Sequence, residues 1–518
     1  MPSLLSAFPQ QAASGPLRLP EKLDTAGILV GWSMEKAHQR RPIGFSFGDP
    51  DRSPEVGYSD PILLGNEGHL ITVAPTGSGK GVGCIIPALL RHAGPAIVID
   101  PKGENAMVTA RRRRELGQEV VVVDPMGVTG LPSGMINPLD LIDPVSANSV
   151  DEAAAMATAL LPMAVGESRN GYWVNRARHL LTSVILHVVT DLRPAERTIA
   201  TVRRLVGELA SDRSELLKAF GASRHPEVRL GCRDLELQAP ETFGGIVSFA
   251  QEGVDFIRGP QVQAATAATS FALDAVTRGD PLTIYLVLPP HMMESHGRLL
   301  RLWTSTLLKL VTRRRSRPKN PTLFVLDEAA QLGPFDELRM AITLLRGYGL
   351  QTWSFWQDPS QLKALYPIDW QTMINNCRVF QAFGANNMAA AEEMSRLVGF
   401  ISAATFLELE HGEMLLQIAG DEAVIAQLPN YRTNPVFAGH FDENPLFDPD
   451  RSPVPEVLEL REYLRPERRV IEAGGGPPAG SGPGRGPAPP NAIDAMISAR
   501  LLEIAGAPAD ARRPRNGT

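Results

Sequence analysis

The chain has little cysteine and no excess of positive charge. Its three cysteines, Cys84, Cys232 and Cys377, lie far apart without metal-ligand spacing, which suits buried thiols in a reducing compartment. The net charge of −6 and the pI of about 6.0 indicate that the chain as a whole is not an electrostatic nucleic-acid binder. Any contact with nucleic acid must therefore be local or arise from assembly.

Aromatic residues and long apolar runs are also scarce. Aromatic residues make up 6% of the chain and do not interleave with its basic clusters, so base stacking and sequence-specific recognition of nucleic acid are not indicated. No run of about 18 apolar residues occurs, so the sequence predicts no transmembrane helix, and no signal peptide is visible at the N-terminus. The 43% of hydrophobic residues is enough for a large core, and the length favours about three structural units.

A strand, a glycine-rich loop and a helix start follow one another at residues 69–82 (HLITVAPTGSGKGV). Glycines let consecutive backbone N–H groups point inward at a phosphate, and Lys80 can reach the β- and γ-phosphates. The stretch departs from the pattern G-x-x-x-x-G-K-[ST] at Ala74 and at Gly81, and Gly81 removes the hydroxyl that normally binds Mg²⁺. The alternative is an ordinary glycine-rich turn before a helix. The residues predicted to bind the nucleotide are Thr76, Gly77, Ser78, Gly79, Lys80, Gly81 and Val82.

Apolar strand patterns alternate with helical patterns along the chain, which predicts an α/β fold with a doubly wound, mainly parallel sheet. Residues 95–100 form a continuous apolar run that ends in an acid, Asp100, and residues 120–123 form another that leads into Asp124, as fully buried parallel strands do. Residues 414–418 and 423–428 resemble a hairpin. Further strands are predicted at 27–32, 45–47, 62–64, 70–73, 283–288, 323–326, 352–356 and 379–383, and helices at 198–209, 213–220, 299–311, 335–345 and 387–398.

Residues 143–259 have a helical texture and predict an all-α domain inserted into the α/β domain. Ser149 is predicted to cap the first of its helices, and the apolar stripe at 173–188 is interpreted as core. Residues 473–490 are almost entirely Gly, Pro, Ala and Ser and predict a flexible linker. The predicted divisions are a lead-in at 1–60, a nucleotide-binding domain at 61–142 and 260–436, the inserted domain at 143–259, an extension with the linker at 437–490, and a short amphipathic helix with a basic tail at 491–518.

Two acids and a glutamine follow predicted strands at positions where a phosphoryl-transfer site needs them. Asp327 and Glu328 come directly after the run 323–326, and Gln357 comes directly after the run 352–356. Asp327 would hold Mg²⁺ through water, and Glu328 would orient or deprotonate the attacking water. Gln357 would lie between the glycine-rich loop and these acids and sense the γ-phosphate; the alternative is a surface amide.

The two basic clusters, at 111–114 and 313–319, have two interpretations. Phosphate contacts with nucleic acid come from local Lys and Arg residues. Cations also occur at solvated helix ends, where they interact favourably with the helix dipole. For each cluster taken alone, the solvated helix end is favoured.

Eight motifs in this chain resemble those of the coupling proteins of type IV secretion and conjugation, the VirD4/TraG family. The resemblance runs from about residue 27 to about residue 436, and its more specific parts are DPKGE, DEAAQLG and the pairing of Arg-Gly-x-Gly with Gln-Asp. The motifs are APTGSGKGVG at 74–83, VIDPKGEN at 98–105, VVDPMG at 122–127, INPLD at 136–140, LDEAAQLG at 326–333, LLRGYGLQ at 344–351, WQDPSQLKALYP at 356–367 and INNCRVFQAFG at 374–384.

The resemblance implies a RecA-like P-loop ATPase that uses ATP and Mg²⁺, carries an all-α domain between its nucleotide motifs and assembles as a hexameric ring. It implies that Arg346 is the arginine finger that reaches a neighbouring subunit's nucleotide and that Gln357 is the sensor glutamine. Glycine at position 81 is common in the family. The implied partners are DNA bound without sequence preference, a relaxase or other secreted protein, and an ATPase or membrane component of the secretion channel.

Most members of the family carry N-terminal transmembrane helices, and this sequence predicts none. It therefore predicts a cytoplasmic protein, and two alternatives stay open: a soluble coupling protein, or one that a membrane partner recruits to the inner membrane. Two other functions stay open: a nucleotide-binding recruitment adaptor with little turnover, and a soluble DNA translocase unrelated to secretion. Catalytic roles are predicted for Lys80, Asp327, Glu328, Arg346 and Gln357.

Overall fold

The computed structural model describes residues 19–33, 61–65, 68–162, 170–399, 401–419 and 423–447, all within one unit, Met1–Glu462. The strand predicted at 45–47, the linker predicted at 473–490 and the helix after it lie outside the described residues. Within the described ranges, no helix is both long enough and apolar enough to cross a bilayer.

Eleven strands in the described residues form a single sheet. They are β1 Ile28–Ser33, β2 Pro61–Leu64, β3 His69–Val73, β4 Ala96–Ile99, β5 Glu119–Val123, β6 Leu282–Leu286, β7 Thr322–Leu326, β8 Leu350–Trp356, β9 Cys377–Phe383, β10 Glu413–Ile418 and β11 Val424–Gln427. Their order across the sheet is β2-β1-β11-β10-β9-β3-β8-β7-β4-β6-β5. The strands from β9 to β5 in that order run parallel, whereas β10, β11, β1 and β2 continue the sheet in antiparallel pairs. The predicted α/β fold with a mainly parallel sheet is confirmed.

The central strand β3 lies between β8 and β9, with Leu70 opposite both Trp353 and Val379. On the far side of β8 come β7 and then β4. Because these strands are parallel, their C-terminal ends meet at one edge of the sheet, which we name the carboxyl edge. Their N-terminal ends meet at the opposite edge, which we name the amino edge.

Helices cover both faces of this sheet. The α-helices of the described residues are α1 Ile86–Arg91, α2 Glu104–Glu115, α3 Ser149–Leu160, α4 Gly171–Asp191, α5 Ile199–Ser211, α6 Arg213–Gly221, α7 Pro226–Glu236, α8 Pro240–Val254, α9 Pro260–Ala265, α10 Leu273–Arg278, α11 Met293–Thr312, α12 Asp336–Leu344, α13 Pro359–Leu365, α14 Trp370–Asn376, α15 Met388–Val398 and α16 Ala403–Glu408.

Alternate residues of a buried strand face two different cores. On β4, Ala96 and Val98 belong to the core that contains residues of α1 and α2, whereas Ile97 and Ile99 belong to the core formed with α3 to α12. A strand buried on both faces needs apolar residues at every position, which explains the continuous apolar runs in the sequence. The sheet is doubly wound, as the sequence predicts.

The described residues between β5 and β6 contain α3 to α10 and no strand. Their apolar side chains share one core with sheet residues such as Ile99 and Leu286. The predicted cap of α3 is wrong by one residue, because Asn148 is the N-cap and the Ser149 hydroxyl lies 3.3 Å from His225 Nε2 instead. The division of the chain into domains stays a prediction.

Candidate nucleotide site

The glycine-rich loop leaves the end of β3 at the carboxyl edge and opens a space beside the sheet. Gly77 and Gly79 have φ angles of +81° and +90°, which side-chain-bearing residues rarely adopt. A Cβ atom built at Gly77, Gly79 or Gly81 would meet no atom within 4 Å. The loop therefore leaves room beside its backbone at these three glycines, and a phosphate bound by backbone N–H groups needs such room.

Short hydrogen bonds tie the loop to the sheet and to the helix that follows. Ala74 N–H donates to Trp356 O at 2.8 Å, and the Ser78 hydroxyl donates to Pro75 O at 2.6 Å. Gly83 N–H donates to Gly79 O at 2.7 Å and starts a turn of π-helix, Gly81–Ile85, which runs into α1. The loop is therefore held at both ends, while the space beside its glycines is free of other atoms of the chain.

The remaining loop positions differ in exposure. Thr76 is exposed, and Val82 packs against a small apolar core with Tyr431, whose N–H donates to Val82 O at 3.4 Å. Because position 81 is glycine, the loop offers a metal ion no hydroxyl at the usual position. The structure thus keeps the phosphate cradle and lacks one metal ligand.

Lys80 and the two acids after β7 meet at the carboxyl edge. Lys80 Nζ lies 3.8 Å from Asp327 Oδ1 and 3.8 Å from Glu328 Oε2, and the side chains of Lys80 and Asp327 are each 17% exposed. Burial raises the pKa of Asp327, and the positive charge of Lys80 acts in the opposite direction. One positive charge thus stands before a carboxylate pair, as a phosphate and metal site requires.

Glu328 has a strained backbone. Its φ of +79° is the only positive φ at a non-glycine residue within the described ranges, and its ψ is +65°. Such a conformation costs on the order of 1–3 kcal/mol at a residue with a side chain and concentrates at functional sites. The Glu328 Oε1 oxygen accepts a hydrogen bond from Gln357 Nε2.

Gln357 follows β8, the strand that separates β3 from β7. It therefore stands between the glycine-rich loop and the two acids, where the sequence predicts it. Its backbone N–H donates to Gln361 Oε1 at 3.0 Å, which fixes it against the first turn of α13. Its side chain is half-buried and engaged by Glu328, unlike a surface amide.

Asp100 and Asn105 also belong to this edge, although the sequence motifs predict no role for either residue. Asp100 follows β4 and is fully buried, and Asn105 lies in the first turn of α2. Asn105 Nδ2 lies 3.1 Å from Asp100 Oδ1 and 3.4 Å from Asp327 Oδ2. Burial raises the pKa of Asp100 to about 7; the N–H of Ala106 opposes this rise, and the charge of Asp327 adds to it. The acid that ends the run 95–100 was the available signal in the sequence.

Arg346 lies at the amino edge, away from the other predicted site residues. It is exposed in a short helical turn, Leu345–Tyr348, directly before β8. Its charge contributes to lowering the pKa of His69, the first residue of β3. The seven residues of β8 span about 23 Å, so Arg346 and Gln357 stand at opposite ends of that strand. Arg346 cannot reach the glycine-rich loop of its own chain.

Each basic cluster contains an arginine with a structural role. Arg113 is fully buried and donates to the backbone oxygens of Leu89 and Gly94, at 3.2 and 2.5 Å. Arg314 is 6% exposed and donates to Val276 O at 2.9 Å. Since both guanidinium groups are occupied inside the fold, neither can contact a nucleic-acid phosphate.

The residues at the carboxyl edge fit a nucleotide with Mg²⁺. Mg²⁺ is usually bound by one or two carboxylates together with phosphate oxygens and waters, and Asp327 offers such a carboxylate beside the cradle. No cluster of three metal-ligating side chains occurs in the part of the chain that the structure describes. The ion would therefore depend on the nucleotide for its remaining ligands.

The family model for type IV secretory system conjugative DNA transfer matches residues 37–405. The chain belongs to this family. Conjugal transfer protein TraG of Escherichia coli is 30% identical to it over 353 residues, 64% of this chain and 55% of TraG. Protein VirD4 of Agrobacterium fabrum is 28% identical over 310 residues, 59% of this chain and 45% of VirD4. The chain spans about half the length of these relatives of the family.

Solved structures of conjugative coupling proteins share the fold of this family member. TrwBdeltaN70 in complex with sulphate matches with a TM-score of 0.55 and 15% identity, covering 70% of this chain and 85% of that chain. TrwB in complex with ADP and Mg²⁺ matches with a TM-score of 0.55 and 16% identity over the same shares. The likeness shows the fold, and the RecA-like P-loop architecture implied by the sequence motifs is confirmed.

Proposed function

We propose that this chain is an ATP-hydrolysing coupling protein that recruits and drives the transfer of relaxase-bound DNA, or of protein substrates, in a type IV secretion or conjugation-like system. The proposal rests on one observation: Lys80, the Asp327–Glu328 pair and Gln357 converge beside an open glycine-rich loop. Membership of the conjugative DNA transfer family directs this nucleotide chemistry towards transfer.

The glycine-rich loop and Lys80 bind the phosphates of ATP. Loop N–H groups donate to the phosphate oxygens, and Lys80 supplies positive charge at the β- and γ-phosphates. Asp327 would hold Mg²⁺ through water, and the ion would neutralise charge that develops on the phosphate oxygens. Because Gly81 contributes no hydroxyl, a water would fill the ligand position that a Ser or Thr hydroxyl usually provides.

Glu328 serves as the general base. The water oxygen bonds to the γ-phosphorus, the bond from this phosphorus to the β–γ bridging oxygen breaks, and the water proton passes to the Glu328 carboxylate. ADP and phosphate are the products. Gln357 Nε2 already donates to Glu328 Oε1, so a γ-phosphate oxygen that captures this donor frees the carboxylate for the water. Gln357 thereby senses the γ-phosphate.

Arg346 acts on the nucleotide of a neighbouring copy. It stands at the amino edge, at the far end of β8 from its own site, so a second chain must present it. Arginine fingers supplied in this way stabilise the charge of the transition state. A ring of subunits, a hexamer in our proposal, satisfies this requirement at every site.

DNA without sequence preference, a relaxase or other secreted protein, and an ATPase or membrane component of the secretion channel are the proposed partners. In this role the chain works at the cytoplasmic side of the channel and is held at the inner membrane by a partner. Arg113 and Arg314 are excluded from the DNA contact by their burial, so other basic side chains must supply it.

ATP hydrolysis by the full chain, measured without DNA, with single-stranded DNA and with double-stranded DNA while the mass in solution is followed, tests the proposal. We expect turnover that appears with oligomers and rises with DNA. The control is Glu328→Gln, which removes the base and retains the size of the side chain. It should bind ATP normally and lose turnover by about 100-fold or more.

Tight ATP binding without turnover under any DNA condition would contradict the motor function. That result would leave a recruitment adaptor, to be checked by co-purification with a relaxase. DNA-stimulated turnover with no association to any relaxase or channel component would instead identify a translocase outside secretion.

A further inference from the structure

We propose that Asn105 is a positioning residue for the metal-binding carboxylate, and that it holds Asp327 in place by bridging Asp327 to the buried Asp100. The inference deepens the proposed function and rests on it, because it concerns the same Mg²⁺-nucleotide site. The motif that contains Asn105, VIDPKGEN, otherwise has no part in the chemistry described above.

The bridge uses both hydrogens of one amide nitrogen. Asn105 Nδ2 is 3.1 Å from Asp100 Oδ1 and 3.4 Å from Asp327 Oδ2, and Asn105 is 1% exposed. The second oxygen of Asp100 accepts from Ala106 N–H at 2.8 Å. Asp100 thus has a donor at each oxygen, and the amide that serves it also reaches the acid of the adjacent strand β7.

The bridge decides which oxygen of Asp327 faces the nucleotide. Asp327 Oδ2 is turned towards Asn105, so Oδ1 is the oxygen that faces Lys80 at 3.8 Å. Groups that donate hydrogen bonds to a metal-binding carboxylate fix its orientation and contribute strongly to metal affinity. The charge of Asp327 already disfavours ionisation of Asp100, and without the amide each of the two carboxyl groups would lose one donor.

Asn105 itself is anchored by the surrounding fold. Its backbone oxygen accepts from the Thr109 hydroxyl at 2.6 Å, and Thr109 is in turn 2.5 Å from the Tyr285 hydroxyl of β6. The turn before α2 requires glycine, since Gly103 has a φ of +70° and a Cβ there would approach Thr129 Cγ2 to 2.5 Å. The amide is therefore presented from a rigid helix start.

A purely structural role would make the Asn105 amide no more than a link between α2 and β4. The two roles differ in what they do to metal binding. A structural link affects thermal stability alone, whereas a positioning residue also changes the Mg²⁺ concentration at which nucleotide binding is half-maximal. Nucleotide binding in the absence of metal should depend on Lys80 and the loop, and not on Asn105.

The test measures binding of a non-hydrolysable ATP analogue to the full chain by calorimetry, first in EDTA and then across a Mg²⁺ titration. The variants are Asn105→Ala and Asn105→Leu, of which the second retains bulk and removes the amide. We expect unchanged affinity in EDTA and a Mg²⁺ midpoint raised by about tenfold or more.

The matched control is Asn137→Ala. Asn137 is 2% exposed, and its Nδ2 also donates twice, to Asp140 Oδ1 at 3.0 Å and to Arg197 O at 2.7 Å. The Asn137→Ala substitution should lower thermal stability and leave the Mg²⁺ midpoint at the wild-type value. The nucleotide affinity in EDTA shows whether each variant is folded. If an Asn105 variant does not fold, Asn105→Ser, which keeps one hydrogen-bond donor, takes its place.

A wild-type Mg²⁺ midpoint in folded Asn105→Ala and Asn105→Leu would overturn the inference. Failure of the proposed function has a different signature, because it is visible in the wild-type chain. Mg²⁺-dependent binding without DNA-stimulated turnover would contradict the motor function and leave the Asn105 result decisive. A wild-type chain that binds no nucleotide at all would overturn both.

Discussion

The two edges of the parallel sheet carry different halves of the proposed chemistry. At the carboxyl edge Lys80, Asp327, Glu328 and Gln357 lie together, and the charges are partly buried. At the amino edge Arg346 stands exposed in a short turn, next to the start of β3. In the proposed function, one edge binds a nucleotide within a single chain, whereas the other acts on a second chain.

This separation explains why nucleotide binding and turnover should respond differently to mutation and to assembly. If the proposal is correct, residues of the carboxyl edge should determine nucleotide affinity in any oligomeric state. A residue of the amino edge should contribute to turnover only where another chain's carboxyl edge meets it. Each of the following experiments tests one side of this comparison.

Arg346→Ala should have the largest effect. The expected loss of turnover in the assembled state is about 1,000-fold, because an arginine finger supplied by a neighbour stabilises the transition-state charge. Affinity for ATP should not change, since Arg346 stands at the opposite edge from its own loop. Steady-state hydrolysis and equilibrium binding, measured on the same oligomer, check both parts.

A mixing experiment separates the two edges directly. Lys80→Ala chains lack the carboxyl-edge lysine and retain Arg346, whereas Arg346→Ala chains have the reverse. Mixed oligomers should recover a measurable part of the turnover that both variants lack alone. Full turnover by assembled Arg346→Ala, or no recovery in oligomers proven to be mixed, would contradict action on a neighbouring chain.

Lys80→Ala should produce the next largest effect, now on binding. Removal of the cation that faces the phosphates should weaken ATP affinity by about 100-fold. The control is Lys218→Ala, which removes an exposed lysine of α6 that pairs with Glu215. Fluorescence titration with a labelled nucleotide measures both variants, and equal affinities for them would refute the phosphate site.

The sheet was predictable because its strands are short apolar runs that end in polar residues. Every strand predicted within the described residues is present, with ends displaced by no more than two residues. Burial on both faces forces such runs, so local sequence determines these elements. The cap of α3 was misplaced by one residue because Asn148 and Ser149 are both residue types that favour N-caps, and the contact of the Ser149 hydroxyl with His225, 76 residues away, is not visible in the local sequence.

The site was predictable where a residue directly follows a strand or belongs to the glycine-rich loop. Asp327 and Gln357 directly follow β7 and β8, and Lys80 lies at the end of the loop that leaves β3. The parallel order of the strands brings these residues together. The bridge from Asn105 to Asp327 joins residues 222 positions apart, and it exists because β4 and β7 are neighbours, an adjacency that no local pattern encodes. The burial of Arg113 and Arg314 within basic runs likewise depends on packing, and composition alone cannot reveal it.

His69 gives the smallest predicted effect and tests the amino edge as a structural region. It is buried at the start of β3, and its Nδ1 accepts from Thr352 N–H at 3.0 Å. Burial, together with the charge of Arg346, lowers its pKa to about 4. In the unfolded chain a histidine has a pKa of about 6.5, so the unfolded state takes up the proton first as the pH falls.

As the pH falls from ~6.5 to ~4, the protonation of this one residue should lower the free energy of unfolding by about 1.4 kcal/mol per pH unit. His69→Gln, which can still accept from Thr352, should show a shallower decline when urea unfolding is measured across that range. Arg346→Ala removes a positive charge and raises the pKa of His69. In this variant the free energy of unfolding should therefore stop falling at a higher pH than in the wild type. Identical pH profiles for wild type and His69→Gln would show that this histidine is not held neutral at the amino edge. A profile in Arg346→Ala that is identical to the wild-type profile would show that the charge of Arg346 does not act on His69.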